Sequence, residues 1–290
     1  MSWKCDVCGK RKVIGGQITH RGLAKKAGGI GLQLVKKFKR PFYPNLQSVR
    51  VKQNQTVKRM ADILEVFARA GVNVAIGGLV ASYQKAIALA EDRTGVKIHK
   101  ILTPSFDLLP DGPDYAAAAK TFDLCVKAGA TFCWPHTEVT DRLYDGLTGT
   151  IRGMDRLCAM IRQRGMIPGL STHLPEAIVT ADKQGLDVES YVSIYNAKGF
   201  LMPIEIDWTN KIILDAKKPV LAIKPMAGGR LMPYVGLPFV WGTIRPRDLV
   251  AVGTMTPDEA KEVIEISLSF LRGRRARREL QTTRSKQVLK

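Results

Sequence analysis

The sequence predicts an α/β chain: an incomplete, seven-stranded βα barrel preceded by a small basic β-hairpin module. Three observations carry this expectation. First, charge is unevenly spread. The net charge is +19, yet residues 1–60 hold fifteen Lys/Arg against one acid, Asp6, and residues 272–290 hold eight against Glu279. Second, the stretch between them is near neutral, with 22 bases and 24 acids. Third, from Ala61 onward short apolar runs alternate seven times with helix-like runs, the pattern of a parallel sheet covered by helices. The two kinds of sequence meet in Pro44–Ala70, PNLQSVRVKQNQTVKRMADILEVFARA.

A neutral body with two basic ends reads as a globular domain with polyanion-binding appendages. The opening MSWKCDVCGKRK has no apolar signal core, and no run of eighteen apolar residues occurs. A cytoplasmic protein with no membrane partner is therefore expected. Cys125, Cys133 and Cys158 stand among apolar residues and read as core.

In chain order, Cys5-Asp6-Val7-Cys8-Gly9 is a turn able to present two thiolates to one metal, a candidate zinc half-site. His20 is the only nearby further ligand, and no second CxxC follows. Gly15-Gly16 and Gly28-Gly29-Ile30-Gly31 break any helix. Lys36–Pro44 interleaves four cations with three aromatics, groups that neutralise phosphates and stack on bases. Ser48–Lys52 and Thr56–Arg59 alternate in period two around Gln53-Asn54-Gln55, which predicts a hairpin. Residues 272–290, RGRRARRELQTTRSKQVLK, read as a basic tail without fixed structure or as a second nucleic-acid contact.

Within residues 1–60 the ordered pieces CDVCGK, VIGGQITHRGLAKKAGGIG, KRPFYPNLQSVRV and TVKRM resemble the bacterial ribosomal protein L-28 family. The resemblance implies a large-subunit component that binds ribosomal RNA. It places RNA contacts at Lys10, Arg11, His20, Arg21, Lys39, Arg40, Asn45, Gln47 and Arg50. The second CxxC and basic tail that such relatives carry after TVKRM do not follow here.

The body opens with an amphipathic helix at Ala61–Ala70 that Gly71 ends. Strands are expected at 72–78, 97–104, 130–135, 166–171, 190–195, 219–225 and 248–254. Helices are expected at Val80–Asp92, Tyr115–Ala128, Thr150–Arg164, Pro175–Gln184, Asn210–Ala216 and Pro257–Arg272, with a Gly/Pro-rich loop after the sixth strand of this set. No G-x-G-x-x-G follows the first strand, which argues for a TIM-type barrel over an open nucleotide-binding sheet. Such a barrel needs eight strands and begins with one; this body begins with a helix and offers seven. Either Thr56–Arg59 substitutes for the first strand or the barrel has a gap.

GLSTHLPEAI, YVSIYNAKG, PVLAIKPMAGGRL and VAVGTMTPDEAKEVIE resemble bacterial TIM-barrel proteins related to aldo/keto reductases, over residues 61–271. That resemblance implies an Asp–Tyr–Lys–His catalytic set. Here Ile76-Gly77-Gly78 stands in place of the Asp, Tyr83 lies within the next helix, and Thr103-Pro104-Ser105 replaces the Lys, leaving His136. NADP is accordingly not expected.

Barrel chemistry sits at strand C-termini, which nominates Ser105, His136, Glu138, Thr172, His173, Tyr195, Asn196, Lys224 and Thr254. His136 and His173 could act as acid and base or, with Glu138, hold a divalent metal. Lys224, within an apolar strand, could form a Schiff base. Gly228-Gly229-Arg230 and Gly253-Thr254 with the last helix start could bind phosphate. Hydrogen bonding at a loop start for the histidines, an ion pair for Lys224 and helix capping by Asp258 and Glu259 are the structural alternatives.

Two functions follow: a ribosomal constituent with the barrel as passenger, or a reductase- or lyase-like enzyme with a basic localising arm. Both resemblances lose a piece at the Met60–Ala61 seam. That coincidence reads as a join of two reading frames, made in the genome or in sequence assembly. Sequencing source DNA across codons 55–65 distinguishes them.

Overall fold

The computed structural model describes residues 13–21, 33–42 and 56–272. The chain divides into two compact units, Met1–Asn54 and Gln55–Lys290.

In the first unit β1 (Val13–Arg21) pairs antiparallel with β2 (Gln33–Phe42). Gly15 stands opposite Arg40, Gly16 opposite Lys39 and His20 opposite Leu34, with an irregularity between Thr19 and His20. At about 3.4 Å per residue, His20 and the Lys39 pairing site are roughly 14 Å apart along the ribbon. The module's hairpin is therefore built from earlier residues than the sequence suggested. Ser48–Lys52 lies outside the described residues, as do Cys5, Cys8, Lys10, Arg11, Asn45, Gln47, Arg50 and residues 273–290.

Thr56–Arg59 is not a strand. Thr56 caps α1 (Val57–Arg69), its side chain accepting from the Arg59 N–H at 3.2 Å. The period-two reading fails because a helix N-cap satisfies this backbone locally. α1 buries Ala61, Ile63 and Ala68, and Gly71, at φ +89°, follows its end. Arg93 joins it to the next helix by pairing with Asp62 at 2.7 Å and Glu65 at 3.5 Å.

From there βα units repeat: β3 (Val74–Gly77), α2 (Ala81–Thr94), β4 (His99–Leu102), a small hairpin β5 (Leu108–Leu109) with β6 (Gly112–Pro113), and α3 (Tyr115–Lys127). β7 (Phe132–Cys133) leads to α4 (Thr137–Leu143), a second small hairpin β8 (Tyr144–Asp145) with β9 (Thr150–Ile151), and α5 (Met154–Arg162). β10 (Ile167–Pro168), β11 (Leu170–Ser171), α6 (Pro175–Gln184), β12 (Tyr191–Ile194) and α7 (Ile206–Asp215) follow. β13 (Val220–Ile223), α8 (Pro233–Thr243), β14 (Leu249–Val250) and α9 (Pro257–Arg272) complete the unit.

The main strands form two parallel sheets, ordered β3-β4-β7-β10 and β11-β12-β13-β14. β10 and β11 flank Gly169 and occupy one strand position, so seven positions run in sequence order. Ile101, Trp134, Val192 and Leu221 pack together with Ile76, Phe132, Ile223 and Ala251, so strands from both sheets share one apolar interior. Outside it, Phe122, Leu157, Tyr191 and Val240 belong to the larger core beneath the helices. Among the described residues β3 and β14 each have one partner, and the barrel is incomplete at that place.

Two helices were not foreseen. α4 is short and starts at a His cap; α8 carries Pro238 in its interior, where a Gly/Pro-rich loop was expected. At the interruption between β10 and β11, a Cβ on Gly169 would overlap the Trp134 indole. Gly169→Ala is expected to destabilise the barrel by about 1–3 kcal/mol through overpacking, read as a lower urea midpoint at unchanged slope.

Candidate active site at the strand ends

The C-terminal ends of β7, β11 and β13 carry His136, His173 and Lys224 into the connections that follow them. His136 is the N-cap of α4; its Nδ1 accepts the Glu138 N–H at 3.3 Å, so the neutral ring carries its proton on Nε2. The Glu138 side chain is exposed. Among the described residues no group of three or more His, Cys, Asp or Glu could hold a metal, so His136, His173 and Glu138 do not form the metal site considered above.

Instead α4 supplies Asp141, which sequence reasoning missed. One carboxylate oxygen accepts the Thr172 hydroxyl at 2.5 Å, and both accept the His173 backbone N–H at 3.2 Å. Asp141 thus fastens α4 to the end of β11 and orients His173. Burial raises its pKa; Thr172, the His173 N–H, and the charges of His173 and His136 oppose that rise. The only sequence signal was an acid five residues beyond a strand-end His, and it was invisible without α4.

His173 is half-buried, and burial lowers its pKa. Lys224 and His136 push in the same direction, while Asp141 pulls against them. Lys224, His136 and Asp141 thus each act on the charge of His173. Lys224 itself has a left-handed backbone, φ +57°, rare for a side-chain-bearing residue and concentrated at functional sites. The turn after it is tight: Ala227 N–H donates to the Lys224 carbonyl at 2.8 Å, and Gly236 lies so close that a Cβ would stand 2.6 Å from the Pro225 oxygen.

Because folded His173 resists protonation, unfolded chains take up a proton near pH 6.5 that folded ones do not. Its contribution is present above that pH and lost as pH falls below it. His173→Gln is expected to flatten the stability difference between pH 7.5 and pH 5, measured by urea unfolding.

The other nominated residues have surroundings of their own. Ser105 is exposed. Tyr195 is buried with its hydroxyl on Thr243 at 3.0 Å. Asn196 is buried and holds its own loop, accepting from the Lys198 and Phe200 N–H groups and donating to the Phe200 carbonyl. The Thr254 hydroxyl is buried without a hydrogen-bond partner among the described residues. Arg230 stacks on Phe200 at 3.9 Å. The start of α9 is occupied by its own side chains: Glu259 accepts the Met255 N–H at 2.7 Å, and Thr256 accepts the Glu259 N–H at 3.0 Å. Capping thus takes amides that the phosphate reading needed.

The reductase-type set is not gathered either. Tyr83 lies across Gly77, and its hydroxyl donates to the Ile76 carbonyl at 3.3 Å. Burial pushes its pKa up to about 12. Lys100 donates to the Ala128 carbonyl at 2.9 Å, near the opposite end of its strand. No described helix is long and apolar enough to cross a membrane.

No protein-family profile matches the chain. Among solved structures, a Pseudomonas aeruginosa protein assigned to the aldo-keto reductases is 14% identical with a TM-score of 0.58, covering 78% of this chain and 86% of its own. Another structure of a Pseudomonas aeruginosa protein so assigned gives 13% identity and 0.57, covering 76% of this chain and 86% of its own. These likenesses show an aldo/keto reductase-like barrel fold. Among curated proteins, the large ribosomal subunit protein bL28 of Thermus thermophilus is 46% identical over 52 residues, 18% of this chain and 53% of that protein. The chain thus spans about half the length of that relative. It spans more of others: bL28 of Halothermothrix orenii is 42% identical over 60 residues, 21% of this chain and 79% of that protein. That of Borrelia duttonii is 34% identical over 79 residues, 26% of this chain and 86% of that protein. Through its N-terminal stretch, the chain belongs to the large ribosomal subunit protein bL28 family.

Proposed function

We propose that the chain is a structural constituent of the large ribosomal subunit in the cytoplasm, attached to ribosomal RNA by its N-terminal module, with the barrel carried as a passenger domain. The observation that carries this is the bL28 likeness across most of the Borrelia duttonii relative's length. Charge supports it: the fifteen cations of residues 1–60 give the module the counterion-releasing surface that RNA binding uses. Lys10, Arg11, His20, Arg21, Lys39, Arg40, Asn45, Gln47 and Arg50 are its proposed RNA contacts. Cys5 and Cys8 remain a proposed zinc half-site.

The test is co-sedimentation of the full chain with large subunits through a sucrose gradient. Presence in the large-subunit fraction, lost at high salt, supports the proposal. Protein that stays at the top of the gradient and binds no RNA overturns it.

A further inference from the structure

β3 ends its sheet with one edge that no described strand covers. On its other edge the His99 N–H donates to the Asn73 carbonyl at 2.8 Å and the Thr103 N–H to the Gly77 carbonyl at 3.0 Å. Asn73, Ala75 and Gly77 therefore turn their backbone groups towards β4. By the alternation of an extended strand, Val72, Val74 and Ile76 turn theirs towards the open edge. Two of those groups are already occupied. The Val72 N–H donates to the Phe67 carbonyl at 2.9 Å, and the Ile76 carbonyl accepts the Tyr83 hydroxyl at 3.3 Å. The Val72 carbonyl, the Ile76 N–H and both backbone groups of Val74 are left facing outwards. Edge strands are ordinarily guarded by charge or proline. Residues 71–80, GVNVAIGGLV, contain neither, and Val72 and Val74 are 46% and 48% exposed.

We propose that this edge pairs antiparallel with the same edge of a second copy of the chain, across a twofold axis at Val74. The donors and acceptors select that occupant. In an antiparallel ladder, alternate pairs of facing residues exchange both of their hydrogen bonds. With Val74 opposite Val74 of the second copy, two residues with both groups free meet. The next such pair sets Ile76 opposite Val72 of the second copy. There the free Ile76 N–H meets a free Val72 carbonyl. The two occupied groups, the Ile76 carbonyl and the Val72 N–H, fall opposite each other and need no further partner. Each copy thus supplies what the other lacks. The side chains match as well. Val72, Val74 and Ile76 share one face of the strand. Val74 then lies against Val74 of the second copy, and Val72 against its Ile76, apolar cross-strand pairs that stabilise a sheet. With no charge on this edge, neither an acidic nor a basic partner is selected over a second copy. Because the same patch serves both copies, the contact closes at two.

This pairing does not depend on ribosome attachment, and its test is separate. The full chain is first freed of nucleic acid at high salt, so that RNA cannot bridge two copies. Sedimentation equilibrium is then run at low and at high salt. Expected is a reversible monomer–dimer equilibrium that salt hardly changes, since no charge crosses the contact. Val74→Lys and Val74→Glu should each weaken dimerisation by about tenfold or more, because like charges then stand directly opposite. Mixed in equal amounts, the two variants should dimerise again. Val72→Lys, beside Ile76 of the second copy, should weaken dimerisation likewise, and it decides the matter if the Val74 variants fail to fold. Leu249→Lys, on the exposed residue of β14, should dimerise as wild type does. A wild-type chain that stays monomeric, dimers indifferent to Val74→Lys, a mixture that does not restore them, or dimers lost in Leu249→Lys instead overturns the proposal.

Discussion

Replacing Lys39, Arg40 and Arg50 together by glutamate is expected to remove the chain from the large-subunit fraction. Each phosphate contact made by a cation adds roughly 0.9 to the slope of log affinity against log salt. Three lost contacts lower that slope by about 2.7, so over a fourfold rise in salt wild type should lose about 40-fold more affinity than the variant does. Lys39 and Arg40 are consecutive on β2, opposite Gly16 and Gly15. The salt slope of the triple variant should be shallower than that of wild type. His173→Gln and Lys224→Met, in the passenger barrel, should sediment as wild type does. If the triple variant still co-sediments with an unchanged slope, these residues are not the contacts.

Asp248→Ala is expected to be the most damaging single change in the barrel, at about 3–5 kcal/mol. Asp248 precedes β14 and is 4% exposed. Its Oδ1 accepts from the Val220 N–H at 2.8 Å and from Arg245 Nη2 at 2.7 Å. Its Oδ2 accepts from the Arg245 N–H and Nε, each at 2.8 Å. Arg245 in turn donates to the carbonyls of Leu214, Ala216 and Lys218. The pair thus ties the α7–β13 connection to the α8–β14 connection, at the barrel face opposite the strand C-termini. Removing the carboxylate leaves a guanidinium with 13% side-chain exposure and two backbone donors without their acceptor. Asp248→Asn, which keeps one accepting oxygen, should lose less. For contrast, Lys211 and Asp215 pair at 2.9 Å with side chains 62% and 65% exposed, and Lys211→Ala should stay within about 0.5 kcal/mol. Urea unfolding of the three variants checks the order; similar midpoints for Asp248→Ala and Lys211→Ala would refute the account.

The strands were legible because each is a short apolar run bounded by turn residues; VAIG, HKIL, YVSI and VLAI all pair where expected. α8 was not legible. PYVGLPFVWGT contains two Pro and two Gly, and local propensity argues against a helix there. Pro233 is tolerated in the first turn, and burial of Leu237 and Val240 against the core outweighs the interior Pro238. Thr56–Arg59 was misread for the opposite reason: four residues alternate by chance, and the Thr56 cap with the helix behind it decides the backbone.

The candidate site divides in the same way. His136, His173 and Lys224 could be nominated because a strand end is a local feature of the sequence. Asp141 could not, because its role depends on α4 lying against the end of β11, a contact between residues 31 apart. By itself the sequence determined the bL28 membership, the placement of charge at the two ends and the seven-fold βα rhythm, since ordered motifs, composition and hydrophobic periodicity are all local properties. Only the tertiary structure decided that Thr56 starts a helix, that β3 and β14 each have one partner among the described residues, and that Asp141 fastens α4 to Thr172 and His173. Those outcomes depend on how strands and helices far apart in sequence close around one interior, and the free energy of that closure is carried by burial and hydrogen bonds that no short stretch contains.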